Sequence, residues 1–166
     1  MRRTLLAIMI ATVLPAQAAD LKALQCGNVF DSKTAKLIGP QTITIDKNTI
    51  KSLSPGKLAV QGAQIVDLSA LTCMPGFIDM HVHLGQQSSQ QGYSEGFRLD
   101  DVDFAFRAVG YADKTLMAGF TSVRDLGGEI SLHLRDAINQ GTIKGPRIYA
   151  AGKSIASTGG HADPTN

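Results

Sequence analysis

Two histidines placed two residues apart, His81 and His83, are the residues of this sequence best suited to chemistry. They lie in residues 77–84, a nearly continuous apolar run that predicts a strand buried on both faces of a parallel sheet. Because side chains alternate along a strand, both imidazoles share one face, with α-carbons about 6–7 Å apart. Two imidazole nitrogens so placed can bind one divalent ion. Unpaired imidazoles inside a buried strand would be costly, so we expect a metal there rather than two ordinary polar residues.

Three further side chains are candidates for the same site. Asp79 precedes His81 by two residues and shares its predicted face, where its carboxylate would support the metal ligands. Asp125 and its neighbour Arg124 end a later predicted strand, where they either form a structural ion pair or line the pocket. Since neighbours on a strand point in opposite directions, we expect Asp125 alone to point inward. His161 lies in a glycine-rich loop and is either a substrate contact or a solvated residue.

The elements before the histidine pair indicate a small antiparallel β-domain over residues 19–74. Alternation of polar and apolar residues between turn clusters is typical of half-buried antiparallel strands. Four such strands are predicted, at residues 23–30, 41–45, 49–53 and 64–68. Ionisable residues of catalytic type do not cluster in this part of the sequence, so we interpret it as a domain without catalytic function.

The sequence from residue 75 onward alternates between strands and helices. One helix is predicted at residues 100–118 with Gly119 as its C-cap, and another at residues 131–140 with Ser131 as its N-cap. Strands are predicted at residues 77–84, 121–126 and 147–151. This is the βα repeat of an α/β protein with a parallel sheet, either doubly wound or a TIM barrel. Because no Gly-x-Gly-x-x-Gly follows the first strand, dinucleotide binding is disfavoured.

Residues 1–18 have the pattern of a secretory signal peptide. Arg2 and Arg3 precede an apolar run that is too short to span a bilayer, and Ala16-Gln17-Ala18 supplies a cleavage site. This favours a signal peptide over a core helix or a membrane anchor. Removing both arginines from the 16 basic residues leaves 14, which equals the number of acidic residues. The mature chain is then neutral, which gives no indication of a nucleic-acid or membrane partner. We expect export to the periplasm or the extracellular space.

Export implies an oxidising compartment, in which disulfides persist. The mature chain has two cysteines, Cys26 and Cys73, near the two ends of the β-domain. They either pair with each other, remain as buried free thiols, or leave Cys26 for a partner elsewhere. No Cys-x-x-Cys spacing is present, so the cysteines do not form a metal-binding motif.

A family resemblance adds to this interpretation. Residues 74–84, MPGFIDMHVHL, resemble the Pro-Gly-hydrophobic-Ile-Asp-x-His-x-His signature of the amidohydrolase superfamily. Residues 119–128, GFTSVRDLGG, resemble the second barrel strand of the branch with imidazolonepropionase-like and Xaa-Pro dipeptidase-like enzymes. Residues 145–148, GPRI, and 158–161, TGGH, resemble the third strand and its loop in that branch. The similarity extends from about residue 23 to the end of the sequence.

The resemblance implies a (β/α)₈ barrel that binds one or two divalent ions, with Zn²⁺ expected, and a preceding region that is the amino-terminal part of a composite sandwich. It implies that His81 and His83 are metal ligands and favours a substrate contact for His161. The family's other ligands are a carboxylated lysine or glutamate, two histidines and an aspartate, all from later strands. His133 falls on a predicted helix and Lys153 follows the third strand, so neither is assigned to these roles. No catalytic residue is assigned in this chain, because the catalytic aspartate is expected downstream.

Length points to part of a barrel. A TIM barrel takes about 250 residues, whereas residues 75–166 hold three predicted strands, which cannot close one. We therefore predict the first three strands of a truncated barrel that is inactive by itself.

The full-length form is predicted to hydrolyse amide or peptide C–N bonds, with Xaa-Pro dipeptides as the expected substrates. A cyclic amide such as an imidazolone is the alternative substrate, and an inactive exported fragment is the alternative from another class. The expected partner is a small molecule or dipeptide, with no nucleic acid and no membrane after signal cleavage, and oligomerisation stays open.

Overall fold

The structure is a computed structural model that describes residues 20–161 and residue 163. The predicted signal peptide, residues 1–18, lies outside the described residues. The chain divides into two compact units, with the boundary between Pro75 and Gly76. Within the described residues, no helix is long and apolar enough to cross a membrane.

The first unit is built on a five-stranded sheet. Its strands are β1 (Leu21–Asp31), β2 (Lys36–Leu37), β3 (Gln41–Asp46), β4 (Thr49–Pro55) and β5 (Gln64–Cys73). The order is β2-β1-β3-β4 with antiparallel neighbours, and β5 pairs with β1. The four predicted strands are present, and the two-residue strand β2 is additional. β5 continues to Cys73, past the predicted end at residue 68.

The pairing of β5 corrects the expectation of a purely antiparallel domain. β5 runs parallel to β1, with Lys22 opposite Gln64 and Val29 opposite Cys73. Because β4 already runs in the direction of β1, residues 56–63 return the chain to the same end of the sheet before β5 begins. Alternation with period two is common to parallel and antiparallel strands, so the sequence pattern could not separate the two pairings.

A disulfide between Cys26 and Cys73 links β1 to the end of β5, with α-carbons 5.9 Å apart. This selects pairing from the three alternatives left open by the sequence. Gly27 follows at a shift in the β1–β5 register. A Cβ at this glycine would overlap the backbone oxygen of Ser69. Glycine is therefore needed here, because the two strands approach too closely for any side chain.

The second unit is a three-stranded parallel sheet with helices, in the order β6-β7-β8. Its elements are β6 (Phe77–Val82), α1 (Gly92–Glu95), α2 (Asp101–Met117), β7 (Phe120–Asp125), α3 (Ile130–Asn139) and β8 (Arg147–Ala150). The buried core consists of Leu84, Ala108, Ala112, Val123, Leu134 and Ile148. The predicted α/β alternation is confirmed, and the one-turn helix α1 is additional.

The ends of α2 and α3 differ in how well they match the predicted caps. Asp100 caps α2 by accepting from the backbone N–H of Val102, and Gly119 follows the C-cap Ala118 with a φ of 96°. The prediction of Ser131 as N-cap of α3 was wrong, because α3 begins at Ile130 with its N-cap one residue earlier. Ser131 is buried, and its hydroxyl donates to the backbone oxygen of Gly128 at 2.8 Å. A serine inside the first turn satisfies its hydroxyl on a nearby backbone carbonyl, so the residue type does not distinguish it from a cap.

The expectation that the histidine strand is buried on both faces was wrong for this chain. Phe77, Ile78 and Met80 of β6 are 44%, 65% and 55% exposed. Within the described residues, β6 pairs only with β7, so it lies at an edge of the sheet. An apolar sequence of this kind is typical of a central strand, whereas here only one side of the strand is paired.

Candidate metal site

The two histidines meet at the carboxyl end of β6. His81 lies in the strand, and His83 directly follows its last residue, Val82. Their ring centroids are 5.3 Å apart, so the two imidazoles lie close together. Both residues are exposed, however. The cost of burying unpaired imidazoles therefore gives no argument for a metal in this chain, and their role as ligands stays a prediction.

Asp79 acts on the backbone of the first histidine. Its Oδ1 accepts a hydrogen bond from the backbone N–H of His81 at 2.9 Å. This hydrogen bond holds the backbone at His81 and does not involve the imidazole. Support of a bound metal by Asp79 stays a prediction.

Arg124 and Asp125, at the end of β7, make separate contacts. Arg124 is exposed, and its Nε donates to the backbone oxygen of Met80 at 2.6 Å. Asp125 is 0% exposed. Its Oδ2 accepts from the backbone N–H of Leu84 at 2.7 Å, and its Oδ1 accepts from that of Gly127 at 2.9 Å. The buried member of the pair is therefore Asp125, and its carboxylate binds backbone groups.

The same residue joins the carboxyl ends of all three parallel strands. Leu84, which donates to the carboxylate, lies two residues past the end of β6. The backbone oxygen of Asp125 accepts from the N–H of Ala151, directly after β8, at 2.9 Å. A further hydrogen bond lies at the same ends of the strands: the backbone N–H of Leu126 donates to the backbone oxygen of Val82 at 3.0 Å. This edge is where parallel α/β enzymes place their sites.

The imidazole of His83 packs against the turn that follows β7. A Cβ at Gly127 would overlap Nδ1 of His83, and its nearest neighbours would all be atoms of that ring. Sequence reasoning missed this contact. The available signal was the glycine pair Gly127-Gly128, which begins two residues after the end of β7 and is typical of a close approach of the backbone to another group.

A cavity of about 290 Å³ opens beside His83. Its lining includes three charged residues, Asp101, Glu129 and Lys153. Lys153 and Glu129 form an ion pair at 3.0 Å. The cavity therefore combines a candidate metal ligand with charges of both signs.

The two remaining histidines lie apart from this arrangement. His161 is an exposed turn residue in the loop after β8 and does not line the described cavity beside His83. Its role as a substrate contact stays a prediction. His133 lies on α3, as expected, and lines a separate apolar groove between α2 and α3.

The residues present fit part of a metal site. Imidazole nitrogens are good ligands for zinc and several other divalent metals. Zinc sites in proteins, however, use at least three protein ligands. In residues 20–161 and 163, no three His, Cys, Asp or Glu side chains are grouped to hold an ion. His81 and His83 can therefore supply two ligands of a site that needs more.

The second unit is an α/β fold with the histidine pair at the carboxyl end of its first parallel strand. The amidohydrolase family model matches residues 72–165, which is more than half of the chain. The chain therefore belongs to the amidohydrolase family.

Solved structures and a curated relative agree with this membership. A Xaa-Pro dipeptidase with methionine bound in the active site is 39% identical, with a TM-score of 0.81, over 88% of this chain and 36% of that chain. A prolidase complexed with N-methylphosphonate-L-proline is 36% identical, with a TM-score of 0.76, over 86% of this chain and 34% of that chain. Ochratoxinase of Aspergillus niger is 35% identical over 91 residues, or 54% of this chain and 19% of ochratoxinase. The chain thus spans 36% or less of each of these relatives.

Proposed function

We propose that the complete protein is a metal-dependent hydrolase of C–N bonds in small amides and peptides, with Xaa-Pro dipeptides as substrates. The observation that carries the proposal is the adjacent pair of imidazoles at the carboxyl end of β6, 5.3 Å apart, in a chain of the amidohydrolase family. The similarity to a Xaa-Pro dipeptidase and a prolidase supports the choice of substrate.

In this proposal His81 and His83 hold the metal, together with ligands beyond the described residues. A divalent ion held there, with Zn²⁺ expected, would lower the pKa of a bound water toward 7 and would polarise the carbonyl of the substrate. Asp79 and Asp125 fix the backbone on either side of the pair, at the N–H groups of His81 and Leu84. The chain's own contribution is thus to hold two ligands in place, and the catalytic aspartate expected downstream remains part of the prediction.

The charges of the cavity beside His83 support a small zwitterionic substrate. Lys153 offers an ammonium group, and Asp101 and Glu129 offer carboxylates, within one cavity of about 290 Å³. Lys153 is paired with Glu129 at 3.0 Å, so the carboxylate of a dipeptide would bind Lys153 in place of Glu129, and the dipeptide's ammonium group would pair with Asp101 or the released Glu129.

We also propose that the protein is exported. The Cys26–Cys73 disulfide supports this, because such bonds persist in oxidising compartments. Mass spectrometry of the mature protein should find Ala19 at the amino terminus. A mature protein that still begins at Met1 would contradict export by this route.

Hydrolysis tests the proposed activity. The metal-loaded complete protein should release proline from methionyl-proline, and the double variant His81→Ala/His83→Ala should lose that activity. His133→Ala, which alters an exposed histidine of α3, is the matched control and should retain it. Hydrolysis of an imidazolone without hydrolysis of any Xaa-Pro dipeptide would replace the substrate proposed here with the cyclic alternative.

A further inference from the structure

We propose that Asp125 and Gly127 are positioning residues that fix the imidazole of His83 before any ion is bound. The inference deepens the proposed function, on which it rests only in treating His83 as a ligand. Two contacts carry it, one to the backbone after His83 and one to the ring itself.

The first contact holds the backbone beside the histidine. Oδ2 of Asp125 accepts from the N–H of Leu84, the residue directly after His83, at 2.7 Å. Leu84 is 6% exposed and belongs to the core, so this end of the strand is fixed both by packing and by the bond. The backbone of His83 is thereby restrained at the point where an edge strand would otherwise fray.

The second contact limits the ring. The imidazole of His83 occupies the space that a side chain at Gly127 would fill. Gly127 does not have a positive φ, so its backbone would accept another residue. The need for glycine at this position therefore comes from His83 and not from the conformation of the turn.

One carboxylate couples the two contacts. While Oδ2 of Asp125 holds Leu84, Oδ1 holds the N–H of Gly127 at 2.9 Å. An asparagine has one oxygen and one NH₂ group, so it could accept only one of these bonds and would face the other N–H with a donor. A fully buried carboxylate is costly to desolvate. Here both oxygens of the buried Asp125 accept hydrogen bonds from the two segments on either side of His83. Such supporting contacts orient metal ligands in proteins.

The test begins with the metal-free complete protein, so that it does not depend on activity. In ¹H–¹⁵N correlation spectra of the imidazoles, Gly127→Ala should displace the signals of His83 and leave those of His133 in place. Gly110→Ala adds the same methyl group at a helical position with nothing within 4 Å, and should leave all of them in place. Asp125→Asn should also displace the His83 signals, because its side chain can accept only one of the two backbone bonds.

The second measurement is the affinity for Zn²⁺, by competition with a chelator. Loss of a supporting contact typically weakens metal binding about 10–100-fold, so Gly127→Ala should lower the affinity by that factor at an unchanged unfolding temperature. A Gly127→Ala protein with unaltered His83 signals and unaltered Zn²⁺ affinity would overturn the inference. If the wild-type protein binds no Zn²⁺, the proposed function fails, while the spectra of the metal-free protein still decide whether the ring is positioned.

Discussion

The two units of the chain hold their strands together by different means. In the first unit, the Cys26–Cys73 disulfide joins β1 to the end of β5 covalently. In the second unit, the carboxyl ends of β6, β7 and β8 are joined by hydrogen bonds to one buried residue, Asp125. The covalent link stabilises a sheet without candidate ligands, whereas the polar link lies at the edge that carries His81 and His83. The disulfide therefore supports the fold of the first unit, whereas the hydrogen bonds of Asp125 support the candidate metal site.

The largest effect is expected from breaking the covalent link. Cys26 and Cys73 are 47 residues apart in sequence, and removing a cross-link of that length costs about 4 kcal/mol of folding free energy. The double variant Cys26→Ser/Cys73→Ser should therefore lower the stability of the first unit by about that amount. Far-UV circular dichroism during urea unfolding measures the loss.

The three tyrosines of the chain, Tyr93, Tyr111 and Tyr149, all lie in the second unit, and the sequence has no tryptophan. In unfolding experiments on this 166-residue chain, tyrosine fluorescence therefore reports on the second unit alone. The fluorescence transition should move less than the dichroism transition when the disulfide is removed. Equal shifts of both transitions would contradict the contrast between the units.

Removing the polar link should give the next largest effect, in the other unit. Asp125→Ala leaves the buried N–H group of Leu84 and the half-buried N–H group of Gly127 without their acceptor, which costs about 3 kcal/mol in total. The tyrosine transition should move to lower urea concentration. Asp136→Ala is the matched control, because Asp136 is an exposed carboxylate of α3 whose partner is Arg135. It should change stability little, and an equal effect of the two substitutions would contradict the importance of the buried link.

Much of this arrangement follows from sequence pattern. Alternation with period two located the strands of the first unit, and the βα repeat located the parallel sheet, because both periodicities reflect which side chains face the core. The spacing of His81 and His83 also fixed their proximity, since alternation along a strand is a local property.

What the sequence could not supply depends on contacts between distant segments. The parallel pairing of β5, the choice of disulfide among three alternatives, and the exposure of β6 all depend on which strands become neighbours. The carboxylate of Asp125 accepts from two backbone N–H groups. One belongs to Leu84, 41 positions away in sequence, and the other to Gly127, two positions away. Only the inward direction of Asp125 was accessible from alternation. The only sequence feature that indicates the contact of Gly127 with His83 is the glycine pair itself.

The smallest effect is expected at a surface ion pair of the first unit. The hydrogen bond from Lys57 at 2.8 Å, followed by bonds from Ser69, holds the pKa of Asp67 well below its usual range. Because the folded pKa is depressed, this stabilisation is present above the pKa of the unfolded chain and is lost as the pH falls through the folded pKa. Both side chains are 55% exposed, so solvent screens the pair and the effect on stability should be slight. Urea titrations at pH 6 and below pH 4, with Asp67→Asn as comparison, measure it. If the wild-type protein and Asp67→Asn lose the same stability at low pH, Asp67 does not contribute to the pH dependence of stability.

The proposed function depends on a metal ion held by His81 and His83. The most direct measurement is the metal content of the purified complete protein beside the double variant His81→Ala/His83→Ala, with His133→Ala as control. We expect bound divalent metal, zinc foremost, in the wild-type protein and in His133→Ala, and its loss from the double variant. Equal metal in all three proteins would contradict the assignment of the two histidines as ligands.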